Sequence, residues 1–278
     1  MKSFSNKVAA ITGASSGMGR ALGVALAKRG CHVALSDVNE KELEESARLA
    51  RAHGVKVTTQ RLDVADRDAV FAWADAVVRE HGKANLVFNN AGVGLGASAE
   101  GSAYEDMEWI FKINFWGVVH GTKAFLPHLR ASGEGHVVNT SSLFGLLSFP
   151  GQSSYNATKF AVRGFTEALR IELEMTGAPV SATCVHPGGI KTNIARAARM
   201  HASIEQLGIP NDGSSAARFE KLFRMTSEDA AETILRGVQA NARRVLVGTD
   251  AKVYDALQRV VPGKYQWLVA QAAKRFAS

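Results

Sequence analysis

Residues 11–19 read ITGASSGMG, and two incompatible parses of these nine residues lead to two different folds. Gly13-Ala14-Ser15-Ser16-Gly17 fits the G-x-S-x-G strand–turn–helix of a serine hydrolase, which would make Ser15 a nucleophile. Gly13, Gly17 and Gly19 also form a glycine-rich turn of the kind that receives a dinucleotide pyrophosphate at a helix N-terminus. Position separates the two. In the hydrolase fold several strands and an oxyanion loop precede the nucleophile, whereas only about ten residues precede this turn and none of them reads HGGG. The dinucleotide parse also accounts for each glycine. Gly13 lets the chain turn tightly out of a strand, Gly17 lets backbone approach phosphate without a Cβ, and Gly19 permits close packing of helix on sheet. On this parse Ser15, Ser16 and Met18 belong to the turn that faces the cofactor.

Downstream of that turn the same strand–helix alternation continues. Strand candidates fall at 7–12, 32–37, 55–60, 84–89, 136–141, 180–186 and 244–248, several of them apolar almost throughout. Such runs suit parallel strands covered on both faces. Helical patterns lie between them near 18–29, 39–53, 66–81, 104–131, 154–176 and 227–241. Repeated βαβ units of this kind predict an α/β fold, a doubly wound Rossmann-type parallel sheet of about seven strands with helices on both faces. Asp66 and Gly82 mark the start and end of the third helix, and Ser227 with Glu228 and Asp229 marks another start. Residues 1–248 form one domain on this reading. An irregular insertion at about 193–226 serves as a lid, and 249–278 is a C-terminal amphipathic helical extension.

Bulk properties narrow the function classes. The 278 residues carry 33 Lys and Arg against 26 Asp and Glu, a net charge of +7, but the basic residues are scattered. No zinc-finger spacing or aromatic RNA-binding signature accompanies them. A solvated basic surface or attraction for an anionic cofactor accounts for the charge, and nucleic acid is not an expected partner. Cys31 and Cys184 are far apart in apolar settings, as reduced core thiols would be, and no metal site is expected. The chain shows no secretory leader and no run of 18 apolar residues, so the expectation is a cytoplasmic protein without a membrane span.

Two carboxylates bear on cofactor choice. Asp37 ends the second strand, 20 residues beyond Gly17, where a carboxylate accepts hydrogen bonds from the adenosine ribose and repels a 2′-phosphate. NAD(H) is therefore favoured, with NADP(H) the alternative. A helix-capping Asp would occupy the same position. Asp63, in RLDVAD after the third strand, is either an adenine-side residue together with Val64 or an ordinary turn Asp.

The second half supplies candidate chemistry. Tyr155 and Lys159 stand four apart at the start of a helical pattern, so a phenol and an ammonium share one face. A nearby cation lowers a phenol's proton affinity, which is what acid–base work on an alcohol or carbonyl requires. Ser142 lies at the end of the fifth strand, and NNAG (89–92) ends the fourth. Carboxyl ends of strands in open α/β sheets face the ligand crevice. Asn90 is read as a structural hydrogen-bonder in a cofactor-facing turn that also contributes Ala91 and Gly92. His186 is read as an ordinary strand-end histidine.

These residues carry a resemblance. TGASSGMG, NNAG, Asn114 in KINFWG, Ser142, YNATK and HPGGIKT follow in order from about residue 6 to 248. In this the chain resembles the short-chain dehydrogenase/reductase family in its compact single-domain form. The resemblance implies an oxidoreductase in which Tyr155 is the general acid/base and Ser142 polarises the substrate oxygen. It implies that Lys159 binds the nicotinamide ribose and depresses the tyrosine pKa, while Asn114 holds a relay water or kinks its helix. Pro187 and Gly188 would lie against the nicotinamide with Ile190 beside them, and Thr192 would hold its carboxamide. Family members are commonly dimers or tetramers, so a homo-oligomer is expected.

The expected substrate is a neutral, fairly hydrophobic secondary alcohol or ketone, because Leu143, Phe144, Phe149 and Gly189 flank the chemical residues without a cation among them. Arg196, Arg199 and His201 in the lid leave room for an anionic group farther from the reacting carbon. Two other classes share the fold: a non-catalytic dinucleotide sensor or scaffold, and an epimerase or dehydratase with bound cofactor. The tail reads as two helices broken at Pro262-Gly263, with Tyr265, Trp267, Leu268 and Phe276 among basic residues. It would pack over its own lid, cross a subunit interface or lie on an anionic membrane.

Overall fold

The computed structural model describes residues 1–211 and 225–277, with side chains through Lys274. Seven strands form one parallel sheet: β1 (Val8–Thr12), β2 (His32–Asp37), β3 (Val57–Arg61), β4 (Leu86–Asn89), β6 (Gly135–Thr140), β7 (Val180–Pro187) and β9 (Arg244–Val247). Their order across the sheet is β3-β2-β1-β4-β6-β7-β9. Two short strands, β5 (Leu95–Gly96) and β8 (Arg199–Met200), pair separately. The order reverses between β1 and β4, and in a doubly wound sheet that switch point opens a crevice at the carboxyl edge.

Alternate side chains of each strand feed two cores. From β1, Ala9 and Ile11 join Leu22 and Leu26 of α1 (Gly17–Ala27) with Ile234 and Val238 of α7 (Ser227–Gln239). Val8 and Ala10 point the other way, toward Trp73 and Val77 of α3 (Arg67–His81) and Phe125 and Leu129 of α5 (Gly117–Ala131). The Trp73 and Phe125 rings meet edge to face at 5.2 Å. Asp66 caps α3 by accepting the Ala69 amide at 3.0 Å, and left-handed Gly82 closes it. Between α1 and β3 runs α2 (Glu40–Arg51), capped by Asn39, whose side chain accepts the Glu42 amide at 3.2 Å.

Three expectations change. Residues 104–131 are not one continuous helix, since α4 (Tyr104–Phe111) and α5 flank a π-helical segment, Lys112–Trp116. The strand before Ser142 ends at Thr140, so that serine lies two residues beyond the sheet. The insertion is not wholly irregular: Arg199 and Met200 pair with Leu95 and Gly96, and a 3₁₀ turn follows at Ala202–Leu207. Residues 212–224 of that expected lid lie outside the described residues, as does the Phe276 side chain. Both cysteines are free and buried, and burial pushes each thiol up to about 12.

Candidate active site

The glycine turn is built by backbone geometry that side chains would disrupt. Gly13 and Gly17 have φ of +65° and +52°, a region glycine enters without strain. A Cβ on Gly13 would sit 2.8 Å from Ala91 Cα, and one on Gly19 would sit 2.0 Å from the Gly13 carbonyl oxygen. Gly19 thus packs on the turn itself, where the sequence suggested the sheet. Gly17 faces the Thr192 side chain, with 3.1 Å from its would-be Cβ to Cγ2. Met18 turns into the core beside α1. Ser16 is the N-cap of α1 without a side-chain capping bond.

Two partners of this turn went unread in the sequence. The Thr12 hydroxyl accepts the amides of Asn90 at 3.0 Å and Ala91 at 3.1 Å, tying the turn after β4 to the turn after β1. Asn90 donates to the carbonyls of Thr12 and Gly13 at 3.1 and 3.3 Å, so it supports the glycine turn from below. Asp37 accepts the Ser15 amide at 3.1 Å and the Asn39 amide at 3.0 Å, which fixes its carboxylate at the mouth of the crevice. Arg20, the nearby cation, is engaged by Glu42 at 2.7 Å and by the Ser15 carbonyl. Asp63 forms a turn by accepting the Ala65 amide at 2.9 Å, and Val64 is buried against Gly117.

Tyr155 and Lys159 begin α6 (Ser153–Met175) and both are buried. The Lys159 ammonium lies 5.6 Å from the Tyr155 ring centroid and donates to the Thr140 carbonyl at 3.1 Å. Burial pulls the lysine down to about 8 and raises the tyrosine above its ordinary value of 10, while a Ser142 hydrogen bond opposes the tyrosine's rise. The lysine was expected to depress the tyrosine. Here the raising influence is burial, which costs the phenolate its water, and the lowering influence is the Ser142 hydrogen bond.

Asn114 is fully buried in the π-helical segment. Its side chain accepts the Val93 amide at 2.8 Å and donates to the Val93 carbonyl at 2.9 Å, pairing with backbone in both directions. Gly92 fits between it and the lysine: a Cβ there would lie 3.2 Å from Asn114 Oδ1 and 3.4 Å from Lys159 Nζ. A π turn widens a helix by one residue and often marks a functional position. Here it swings Asn114 toward the turn that follows β4.

His186 is more than a strand-end residue. It is fully buried, its Nδ1 contacts the Ser142 carbonyl at 3.1 Å, and burial holds it neutral with a pKa near 4. Only a donor suits a carbonyl, so Nδ1 carries the proton and fixes the backbone of Ser142. Beyond it, Pro187 ends β7, Gly188 and Gly189 are half-buried, and Ile190 is buried beside Met225.

The wall beside Tyr155 is apolar and aromatic. Leu143 and Phe144 lie in a 3₁₀ turn, with Phe144 edge-on to Tyr155 at 5.9 Å and 4.9 Å from Phe149. Leu95, in the VGLG stretch the sequence offered as a wall, and Tyr265 of the tail join it, together with residues missed in the sequence: Trp109 and Ile110 from one side, and Tyr254, Leu257 and Val269 from the tail. The tail's apolar spacing was the available signal. Arg199 stacks over Trp109 at 3.6 Å and pairs with Asp106 at 3.0 Å, while His201 bonds Ser203 at 2.9 Å. Arg199 therefore ties the expected lid to α4, and His201 stabilises the turn that follows it.

The donor set fits a nicotinamide dinucleotide. Three glycines leave a turn into which no Cβ fits, a fixed carboxylate stands where a ribose diol would bind, and a buried ammonium spends one N–H on protein. Among the described residues no cluster of metal-ligating side chains occurs, and no helix is long and apolar enough to cross a membrane.

The chain shares its sequence and fold with known proteins. A family model described as short chain dehydrogenase matches residues 7–203. SadH of Mycobacterium tuberculosis, described as an oxidoreductase, is 50% identical over 277 residues, or 99% of this chain and 98% of that protein. A short chain dehydrogenase/reductase from Burkholderia phymatum, solved in complex with NAD, is 33% identical with a TM-score of 0.86 over 94% of this chain and 95% of its own. An alcohol dehydrogenase from the archaeon Thermococcus sibiricus, complexed with 5-hydroxy-NADP, is 26% identical with a TM-score of 0.72 over 87% of this chain and 95% of its own.

Proposed function

This chain belongs to the short-chain dehydrogenase family, and on that premise we propose that it interconverts a neutral, apolar secondary alcohol and its ketone with NAD(H) as preferred cofactor. The observation that carries this reading is the convergence of buried Tyr155 and Lys159 with half-buried Ser142, which hydrogen-bonds the tyrosine, at the carboxyl edge of the sheet. When bound, the nicotinamide accepts the hydride in oxidation and supplies it in reduction.

The chain's own residues handle binding and the proton. In reduction the Tyr155 hydroxyl donates its proton to the ketone oxygen as the alcohol forms, and in oxidation the phenolate oxygen takes it back. Ser142 donates a hydrogen bond to the same substrate oxygen, stabilising charge that develops there. Lys159 binds ribose hydroxyls with its unspent N–H groups and favours the phenolate by its charge. Asn114 holds the turn after β4 against the lysine, and His186 holds Ser142. Pro187, Gly188 and Ile190 provide the apolar face against the nicotinamide, and Thr192 bonds its carboxamide. Preference for NAD(H) is supported by the Asp37 carboxylate and by Arg20 already being paired with Glu42.

The aromatic wall, the pairing of Arg199 with Asp106 and Trp109 of α4 and the His201–Ser203 bond support a neutral substrate. A homodimer or homotetramer is supported by the exposed stripe Phe160, Ile171 and Met175 along α6, at helical spacing, and by exposed Trp116 nearby. Exposed apolar surface of this kind is usually covered by a partner.

The test is Tyr155→Phe with a panel of lipophilic alcohols and ketones, read by NADH absorbance. The substitution should abolish turnover and leave NADH affinity within about twofold, since only the proton-transferring oxygen is lost. Retained turnover would overturn the mechanism. Tight NADH binding by the unmutated protein without hydride transfer to any panel member would favour a sensor instead.

A further inference from the structure

We propose that Asp250, in the first turn of the C-terminal helix α8 (Thr249–Val260), is a positioning residue that fixes the Pro187–Thr192 turn and couples it mechanically to the substrate wall. The proposal rests on the reading of that turn as the nicotinamide-facing one.

The contact is specific. As the chain leaves β7, the Gly188 amide still reaches strand β9, donating to the Val247 carbonyl at 2.8 Å. The next amide has passed the end of β9, and it donates instead to Asp250 Oδ2 at 2.6 Å. The other carboxylate oxygen accepts the Ala251 amide at 2.9 Å. The carboxylate also lies flat against the turn: a Cβ on residue 188 would stand 2.2 Å from Oδ1, and one on residue 248 would stand 2.3 Å from it. Two glycines thus make room for one carboxylate. Gly248 holds the N-cap position, so Asp250 serves its own helix only through the Ala251 amide while its other oxygen reaches across to Gly189.

The same helix reaches the aromatic cluster beside Tyr155. Asp250, Tyr254, Leu257 and Val261 recur at intervals of four, three and four, one stripe along the helix. The Tyr254 ring meets Phe149 edge to face at 6.1 Å, and Leu257 and Val261 pack in the cluster that holds Leu143, Phe144 and Tyr155. One rigid helix therefore touches the turn with its first residues and the wall with the rest. A ligand that orders the turn orders the wall.

Amide hydrogen exchange and NADH titration of the full chain test this. In cofactor-free protein, Asp250→Ala should speed exchange across 187–192 by about tenfold and leave the centre of β7 unchanged, the loss expected of one charge-assisted bond. NADH affinity should weaken by roughly the same factor. Asp250→Asn keeps an acceptor oxygen and should restore both within about threefold. NADH added to unmutated protein should slow exchange in 254–261 as well as in 187–192, and Asp250→Ala should lose the response in 254–261. If Asp250→Ala melts below the assay temperature, Asp250→Ser, which suits a helix start but falls short of Gly189, carries the same expectations.

Unchanged exchange across 187–192 in Asp250→Ala or Asp250→Ser overturns the positioning role. An unmutated protein in which NADH slows 187–192 but not 254–261 overturns the coupling. Failure of the unmutated protein to bind NADH would instead refute the functional reading, while exchange in cofactor-free protein still decides whether Asp250 fixes the turn.

Discussion

Tyr155 and Lys159 share an enclosure in which burial works against both charges, raising the phenol and lowering the ammonium to about 8. A phenol that stays protonated near neutrality is ready to give a proton and reluctant to take one. Ketone reduction should therefore proceed well at pH 7, and alcohol oxidation should accelerate as pH rises from 6 toward 8, below which Lys159 keeps the charge that favours the phenolate. Initial rates in both directions across pH 6–8 check this, and an oxidation rate that falls over that range would contradict it. Asp37 supports a second expectation. Asp37→Ala should lower NAD preference by about tenfold or more in kcat/KM ratio, because it removes a ribose acceptor and the repulsion of a 2′-phosphate. The i, i+4 pair and the strand-end Asp were visible in the chain because each depends on local spacing. The hydrogen bond from His186 to Ser142, across 44 residues, was not.

Among the elements, the first strand–turn–helix unit follows its sequence most closely. Gly19→Ala tests it, since the new Cβ would stand 2.0 Å from the backbone oxygen of Gly13, which has no rotamer to yield. We expect a loss of about 1–3 kcal/mol in unfolding free energy, as overpacking typically costs. NADH affinity should fall in parallel. Denaturant melts and fluorescence titration read these two effects, and an unperturbed variant would mean that the turn is looser than its contacts imply. Long apolar strands and capped helices were legible from period and end signals. The π-helical segment was not, because it arises where Asn114 bonds the Val93 backbone 21 residues away. The two-residue strands β5 and β8 were equally silent, since such short strands carry no period of their own and pair residues about 100 positions apart.

At the scale of the whole molecule, two cores sandwich the sheet and bury His136 and His186 along with it. Burial lowers their pKa values from 6.5 to about 3 and about 4. As pH falls below 6.5 the unfolded chain takes up these protons first, so stability is full above that value and declines as pH approaches 4. Each histidine contributes on the order of 2 kcal/mol across that window. Urea midpoints at pH 7, 5.5 and 4.5 should fall steadily, and His136→Asn should flatten part of the decline. A midpoint constant over that range would refute the assignment. The tail belongs to this scale too. Its sequence suggested packing over the lid, across a subunit interface or on a membrane; within the chain its helices pack into the cluster of Leu143, Phe144 and Tyr155, with Tyr265 and Val269 buried and Trp267 and Leu268 left exposed.

The alternation of elements, the glycine turn and the Tyr155–Lys159 pair were legible in the unfolded chain, because periodicity, end signals and helical spacing are written over a few residues. In ITGASSGMG the spacing of the three glycines was readable as a dinucleotide turn, in keeping with the family the chain belongs to. The folded chain alone decided that burial raises Tyr155, that His186 bonds the Ser142 carbonyl and Asp250 the Gly189 amide, and that the tail packs into the cluster around Tyr155. Each of these depends on atoms brought together from distant segments, and desolvation and long-range hydrogen bonds come into being only when the chain has folded.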